Sequence, residues 1–305
     1  MPAFFVQMGA MRWSDGFIAV DWGTTNRRAY RLDSAGNCVN QFEDDRGILA
    51  IEPDGFPAAA ADIRKRLGDT PLLLAGMVGS TRGWVEAPYV DCPASLDQLA
   101  ARLCWIEAEN AAIVPGLALK ADGRADVMRG EEIQLFGAME AALVPSNCLV
   151  CHPGTHNKWV SLEEGRIASF RTVMTGEMFN LLRGHGMLAE FLSGDARDDC
   201  SFREGVRKGL DFPALTAELF SVRARVLLGG MAREDAPSYV SGLLIGIDIG
   251  VGRAMAGHSP IVIMGRPELT SLYAAGALEA GLEAAVVDGA SAFVAGAAAV
   301  ARSMA

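Results

Sequence analysis

Short apolar runs separated by compact polar turns fill the chain from Phe17 onward. The run "FIAVD" leads into the Gly/Thr turn "WGTTN", a strand "RRAYRLD", the turn "SAGN" and a further strand beginning at Cys38. Apolar letters return at helical spacing from about Phe56 to Leu67, and "PLLLAG" then reads as a buried strand. In "RGEEIQLFGAMEAAL", Arg129 to Leu143, the apolar Ile133, Phe136 and Met139 follow acids that complement a helix dipole. A second series opens after Pro145: strand "CLVCH", turn "PGTHN", strand "KWVSL", turn "EEG" and strand "RIASFRTVM". Helical segments follow from about Thr175. A late β–α–β–α run comprises "IVIMG", a helix over Leu269 to Ala280, "EAAVV" and an Ala-rich helix from Ala290 to Ser303. This alternation predicts an α/β fold.

The two series resemble each other. Aligning "FIAVDWGTTNRRAYRLDSAGN" with "CLVCHPGTHNKWVSLEEGRI" places Gly23 on Gly154, Thr24 on Thr155, Asn26 on Asn157 and Arg27 on Lys158, with strands on both sides. Two related halves are therefore expected, at 17–143 and 144–305, with residues 1–16 as a frayed N-terminal extension in which Met8 or Met11 could be the start.

Composition narrows the functional classes. The chain has 305 residues, half of them hydrophobic and 21% charged, which excludes a disordered protein and leaves room for two cores. A formal net charge of −10 argues against a surface for nucleic acid or anionic lipid, while a local pocket can still take a small anion. Six scattered cysteines read as reduced cytosolic thiols. The start lacks a secretory pattern, and runs such as Val240 to Val251 are broken by Gly and Asp before the ~20 residues of a membrane span. The expectation is a cytoplasmic protein with no nucleic-acid or membrane partner; a homodimer is left open.

A Gly-Thr turn between strands aims backbone N–H groups and hydroxyls at one point, a concavity suited to phosphate oxygens. One such loop is more simply a plain hairpin; two at equivalent places suggest a nucleotide gripped between lobes. "CLVCH" offers a different chemistry. Cys148, Cys151 and His152 spell a c-type haem attachment pattern, and with His156 they could make a zinc site. Strand geometry opposes that reading, because residues three apart point to opposite faces.

Taken together, "DWGTTNRRA", "AGMVGSTRGW", "APYVDCPA", "VMRGEE", "PGTHNKWV", "FRTVMTGE" and "SGLLIG" are similar to the 2-dehydro-3-deoxygalactonokinases of the actin, Hsp70 and sugar-kinase superfamily. The resemblance implies two ribonuclease H-like lobes of mixed sheets flanked by helices, with an ATP cleft between them. It implies transfer of the ATP γ-phosphoryl to the 6-hydroxyl of 2-dehydro-3-deoxy-D-galactonate in galactonate catabolism, with Mg²⁺ bridging the phosphates.

Roles follow from that resemblance. Asp21 would organise Mg²⁺ through water, with a turn cap as its bland alternative. Gly23, Thr24, Thr25 and Asn26 would line the phosphate path, and Arg28 would face the phosphoryl group or the sugar acid. Gly154, Thr155, His156 and Lys158 would form the second phosphate loop, and Gly265 would open the adenosine segment. Glu131 is the expected general base, with Glu132 as its rival; both could simply serve the helix N-terminus. The superfamily more usually has Asp there, and often paired glycines where this chain has Gly265, Arg266 and Pro267. Arg129 and Arg171 are candidates for the substrate carboxylate, unless they pair with Glu131 or Glu177, and Glu177 is itself placed in the substrate site. Ser80 and Trp84 are candidates beside the sugar. Alternative functions are a kinase of the same fold acting on another 2-keto-3-deoxy acid or a hexose, a non-catalytic nucleotide-binding regulator, or a haem or zinc protein.

Overall fold

The structure is a computed structural model that describes residues 13–121, 123–211 and 214–304. By contact the chain forms two compact units, one from Met1–Ser146, Glu163–Ser169 and Gly289–Ala305, the other from Asn147–Leu162 and Phe170–Asp288.

The first unit opens with β1 (Phe17–Trp22), β2 (Arg27–Leu32) and β3 (Cys38–Asp44), then α1 (Phe56–Leu67) and β4 (Leu72–Gly76). There follow β5 (Tyr89–Asp91), α2 (Leu96–Ala100), β6 (Cys104–Ile106), β7 (Ala111–Ile113), β8 (Gly116–Ala121), β9 (Arg124–Met128) and α3 (Glu131–Glu140). One sheet has the order β3-β2-β1-β4-β7-β6 and a second the order β5-β8-β9. β1 runs antiparallel to β2 and parallel to β4. Both central strands are apolar nearly throughout, as strands covered on both faces must be. α1 buries Phe56, Ala59, Ala60, Ile63 and Leu67, one helical stripe against the β1 and β4 side chains.

The second unit repeats this order. β10 (Cys148–His152), β11 (Asn157–Glu163) and β12 (Arg166–Val173) are followed by α4 (Thr175–Gly184), α5 (Cys200–Asp211), α6 (Leu215–Leu227) and α7 (Ala236–Ala256). Then come β13 (Ile261–Gly265), α8 (Pro267–Glu279), β14 (Ala284–Asp288) and α9 (Gly289–Ser303). The sheet order is β12-β11-β10-β13-β14, with β10 antiparallel to β11 and parallel to β13. Third, second, first, fourth is thus the strand order in both units, the ribonuclease H-like α/β architecture used twice.

Three details differ from the sequence reading. Trp13 is buried against Phe17 and Trp105, with ring centroids 5.1 and 5.8 Å away, so packing begins before residue 17; residues 1–12, with Met8 and Met11, lie outside the described residues. α9 groups with the first unit instead of completing the second half, because its glycine face meets α3. A Cβ on Gly137 would lie 1.9 Å from the Ala292 carbonyl oxygen, and one on Gly296 would lie 1.9 Å from that of Ile133. The apolar stretch around Val240 is also longer than its broken pattern suggests. The helix Arg233–Ala256 is long and apolar enough to cross a membrane by length and composition, yet two thirds of its most apolar window is buried inside the protein, as in a core helix.

Candidate functional site

In parallel sheets, ligands collect beyond the carboxyl ends of the strands. In the first unit that end of β1 carries Asp21 and Trp22, and the register sets Trp22 beside Gly76 of β4. The loop Gly23–Asn26 closes on itself through the Gly23 N–H, which donates to the Asn26 carbonyl at 2.9 Å. The carbonyls of Gly23, Thr24 and Thr25 accept from the N–H groups of Ile48, Leu49 and Gly47 at 3.0, 3.2 and 2.9 Å. The carbonyl edge is therefore fixed from behind, and Thr24 and Thr25 are exposed. Arg28, opposite Asp21 in the β1–β2 register, donates to its carboxylate from Nη2 at 2.6 Å. Burial opposes the Arg28 charge, but Asp21, Tyr30 and Glu43 outweigh it and hold the guanidinium pKa above its ordinary value.

α3 delivers its N-terminus to the same strand ends. Gly76 has φ +93° and lies so close to β1 that a Cβ would sit 2.8 Å from the Trp22 carbonyl oxygen; a Cβ on Gly130 would sit 3.1 Å from the Gly76 Cα. Only glycine fits at Gly76, where positive φ and close approach coincide. The two acids at the head of α3 face different surroundings. Glu131 is partly exposed, and its Oε2 accepts from the Arg129 N–H at 3.1 Å. Glu132 is fully buried; its oxygens accept from the Gly130 N–H at 2.9 and 2.7 Å. Burial first, and the neighbouring Glu131 second, push the Glu132 carboxyl up to about 8.

Arg129 is wrapped by the loop after β4. Its Nη2 donates to the Ala87 carbonyl at 2.8 Å, its guanidinium lies 4.5 Å from the Tyr89 ring centroid, and Nη1 abuts Gly79. Nε and Nη1 are buried without a hydrogen-bond partner among the described residues. Buried donors are normally satisfied, so these two are exceptions to the rule. Ser80 and Trp84, expected beside the sugar, have structural work in the same loop. The Ser80 hydroxyl donates to the Met77 carbonyl at 2.8 Å, and Trp84 stacks on Phe56 at 6.0 Å between centroids.

In the second unit the loop after β10 packs against the start of α4. A Cβ on Gly176 would lie 2.5 Å from the Gly154 carbonyl oxygen, and the Glu177 N–H donates to the Thr155 carbonyl at 2.9 Å. His156 Nε2 contacts the Glu177 carboxylate, so Glu177 sits with the second loop and not with Arg171, which is exposed on β12. Lys158 is buried opposite His152. Gly265 lies at the end of β13, with Pro153 of the loop close by. Leu149 and Cys151 share one core, and Cys148 lies outside it, as alternation along β10 requires.

That register also corrects the alignment of the halves. If the strand ends Asp21 and His152 are equated, their partners are Arg28 and Lys158, so Arg27 corresponds to Asn157 and the second loop is one residue shorter. Arg27 is accordingly not a loop cation. It is fully buried, held by Asp44 at 2.7 and 3.1 Å and by Asp62 at 3.3 Å. Sequence reasoning also missed Asp248, a buried carboxylate in α7 that binds Asn157, Trp159, Thr175 and Tyr273. The available signal was a lone acid within "LLIGIDIGVG".

A family profile described as 2-keto-3-deoxy-galactonokinase matches residues 21–300. The chain belongs to this family. The chain is also 37% identical to the 2-dehydro-3-deoxygalactonokinase of Escherichia coli (strain K12) over 292 residues, covering 95% of this chain and 98% of that protein. Among solved structures, a candidate 2-dehydro-3-deoxygalactonokinase from Sinorhizobium meliloti superposes with a TM-score of 0.88 at 35% identity, over 94% of this chain and 98% of that one. A dehydratase activator from Clostridium difficile with bound ADPNP, at 12% identity and a TM-score of 0.54, shares the fold alone. The 2-keto-3-deoxy-galactonokinase profile spans both phosphate-loop candidates and the Arg129–Glu131 segment.

Proposed function

We propose that the chain transfers the γ-phosphoryl group of ATP to the 6-hydroxyl of 2-dehydro-3-deoxy-D-galactonate. Family membership supports the reaction class. The observation that carries the substrate class is the buried, unsatisfied Nε and Nη1 edge of Arg129, two residues from Glu131. A sugar acid needs both: a forked cation for its carboxylate and a carboxylate to accept the proton of its hydroxyl.

In this reading Glu131 takes the hydroxyl proton as the oxygen bonds to the γ-phosphorus, and the bond to the bridging oxygen breaks to release ADP. The full burial of Glu132 favours Glu131 over it as base. Thr24, Thr25 and Asn26 present donors to the phosphates from the first unit. In the second unit Gly154, Thr155, His156 and Lys158 form the other phosphate-binding candidate, and the segment after Gly265 holds the adenosine. Asp21 fits a Mg²⁺ role: it is a hard oxygen donor beside a phosphate loop, and Mg²⁺ needs only one or two protein carboxylates when phosphates and water complete its shell. Its contact with Arg28 favours a hold through water. When bound, the metal neutralises phosphate charge. Cys151 lies in one core and Cys148 on the opposite face of β10, which counts against the zinc reading of Cys148, Cys151 and His152.

We further propose a cytoplasmic enzyme, consistent with six cysteines that form no disulfide. A coupled ATP-consumption assay over a panel of sugar acids and hexoses tests the reading. Turnover is expected with 2-dehydro-3-deoxy-D-galactonate; preference for another acceptor moves the assignment to that substrate, and ATP binding without turnover on any acceptor replaces it with the regulator.

A further inference from the structure

Asp248 is fully buried in the middle of α7, a helix otherwise built from apolar and small residues. Placing a carboxylate there is costly unless every oxygen is hydrogen-bonded. Here it is. Asn157 Nδ2 donates to both oxygens at 2.8 and 2.9 Å, Trp159 Nε1 donates to Oδ1 at 2.7 Å, the Tyr273 hydroxyl donates to Oδ2 at 2.5 Å, and the Thr175 hydroxyl donates to Oδ2 as well. Cys151 Sγ in turn donates to Asn157 Oδ1 at 3.5 Å, which fixes the orientation of that amide. The Asn157 Nδ2 and Trp159 Nε1 groups can only donate, so the acceptor-only carboxylate matches them.

For stability alone the whole cluster could be apolar, since buried polar sets are often replaceable without loss when every partner is exchanged together. What the carboxylate adds is a single point that binds both flanks of the second loop. Asn157 directly follows His156. Thr175 opens α4, whose next residue, Gly176, lies against the Gly154 carbonyl and the Thr155 Cα, and whose Glu177 N–H bonds the Thr155 carbonyl. Tyr273 adds α8, the helix after Gly265. We infer that Asp248 is a positioning residue for nucleotide binding, holding Gly154–His156 and the start of α4 in the phosphate-receiving arrangement before ATP arrives. This rests on the reading of that loop as phosphate-binding. Donors fixed in advance need no ordering when the ligand binds, and affinity gains accordingly.

Asp248→Asn, Thr175→Val and Trp159→Phe separate positioning from simple support. All three lose a hydrogen bond of the same cluster, but the Trp159 ring is packed on Gly252 within the core, whereas Thr175 opens α4 beside the loop. The KM for ATP is expected to rise about tenfold or more in Asp248→Asn and Thr175→Val, the cost of one lost bond to a charged group, with the KM for the sugar acid nearly unchanged. Trp159→Phe is expected to lower the melting temperature and leave the KM for ATP within about twofold of the parent. The inference is overturned if folded Asp248→Asn keeps the parental KM for ATP, or if Trp159→Phe raises it as much as Thr175→Val does. If Asp248→Asn does not fold, the Thr175 and Trp159 pair decides. Calorimetric titration of each variant with Mg-ATP alone reads the same contrast. It therefore still judges the inference if the parent protein phosphorylates none of the sugar acids, a result that would sink the proposed function separately.

Discussion

The two loops occupy the same topological slot and solve the same anchoring problem with different donors, a cation in one and a neutral amide in the other. In the first unit the inward residue after the loop is Arg27, a buried cation clamped by Asp44 and Asp62. In the second it is Asn157, a buried amide clamped by the carboxylate of Asp248. On the other strand face the relation changes again: Asp21 faces Arg28, whereas His152 faces Lys158. The repeat has thus kept backbone path and hydrogen-bonded anchor while exchanging residues. An acid remains at only one of the two strand ends, so a metal-organising role has a place in the first unit that the second does not duplicate. Variants at the head of α3 should disturb chemistry and the sugar acid; variants in the second loop should disturb ATP.

The largest effect is expected at the head of α3. Glu131→Gln should lower kcat by about 10²–10⁴, the usual worth of a positioned general base, while Mg-ATP still binds in a calorimetric titration. Glu132→Gln should leave kcat within about threefold, a difference of well under 1 kcal/mol, because glutamine is the neutral shape of an acid that burial already keeps protonated. Stability reads Glu132 instead. Its carboxyl titrates at about 8 when folded, against the ordinary 4.5 once the chain unfolds and water reaches it. Between those values only the unfolded chain releases the proton, so stability falls as pH rises, by at most about 1.4 kcal/mol per pH unit. Urea midpoints at pH 5 and pH 8 should differ more for the parent than for Glu132→Gln; equal slopes would remove Glu132 from this account.

Arg129 comes next. Arg129→Lys keeps the charge but loses the fork, so the KM for the sugar acid should rise about 10- to 100-fold with the KM for ATP unchanged, as for one or two charge-assisted hydrogen bonds. A rise confined to ATP would reverse the division between the head of α3 and the second loop.

These positions also mark how far the sequence alone can be read. The strands, both Gly-Thr loops and the acids heading α3 were legible because periodicity and turn chemistry are local. Asn26 was set against Asn157 because letters match there; the true register depends on which carbonyls pair across the hairpin, and no local pattern records that. Arg27 and Arg28 are adjacent arginines whose opposite fates follow from strand parity alone. Asp248 was passed over because its four donors come from β11, α4 and α8, up to 91 positions away in sequence.

The exchange of Asp21 for His152 gives a smaller effect. His152→Asp would set an acid opposite Lys158, rebuilding in the second unit the Asp–basic pairing of the first. If the second loop serves phosphate without metal, the added charge should raise the KM for ATP about fivefold, equivalent to a Coulomb cost of about 1 kcal/mol in a solvated site. An unchanged KM would mean that the two strand ends are interchangeable after all.

The smallest effect is expected at Glu177, and its direction matters more than its size. Its side chain is 37% exposed and that of its partner His156 is 48% exposed. A pair so open to solvent contributes at most about 1 kcal/mol, so Glu177→Gln should leave the melting temperature almost unchanged. The backbone link from its N–H to the Thr155 carbonyl survives the substitution, so the loop keeps its shape. What changes is electrostatic: the carboxylate that engages His156 no longer repels an incoming phosphate. The KM for ATP should therefore fall about two- to threefold, a few tenths of a kcal/mol, while the KM for the sugar acid stays constant. A rise of about tenfold or more in the sugar-acid KM, with ATP unaffected, would instead return Glu177 to the substrate pocket. The contrast between the head of α3 for the acid and the second loop for the nucleotide would then fail at this residue.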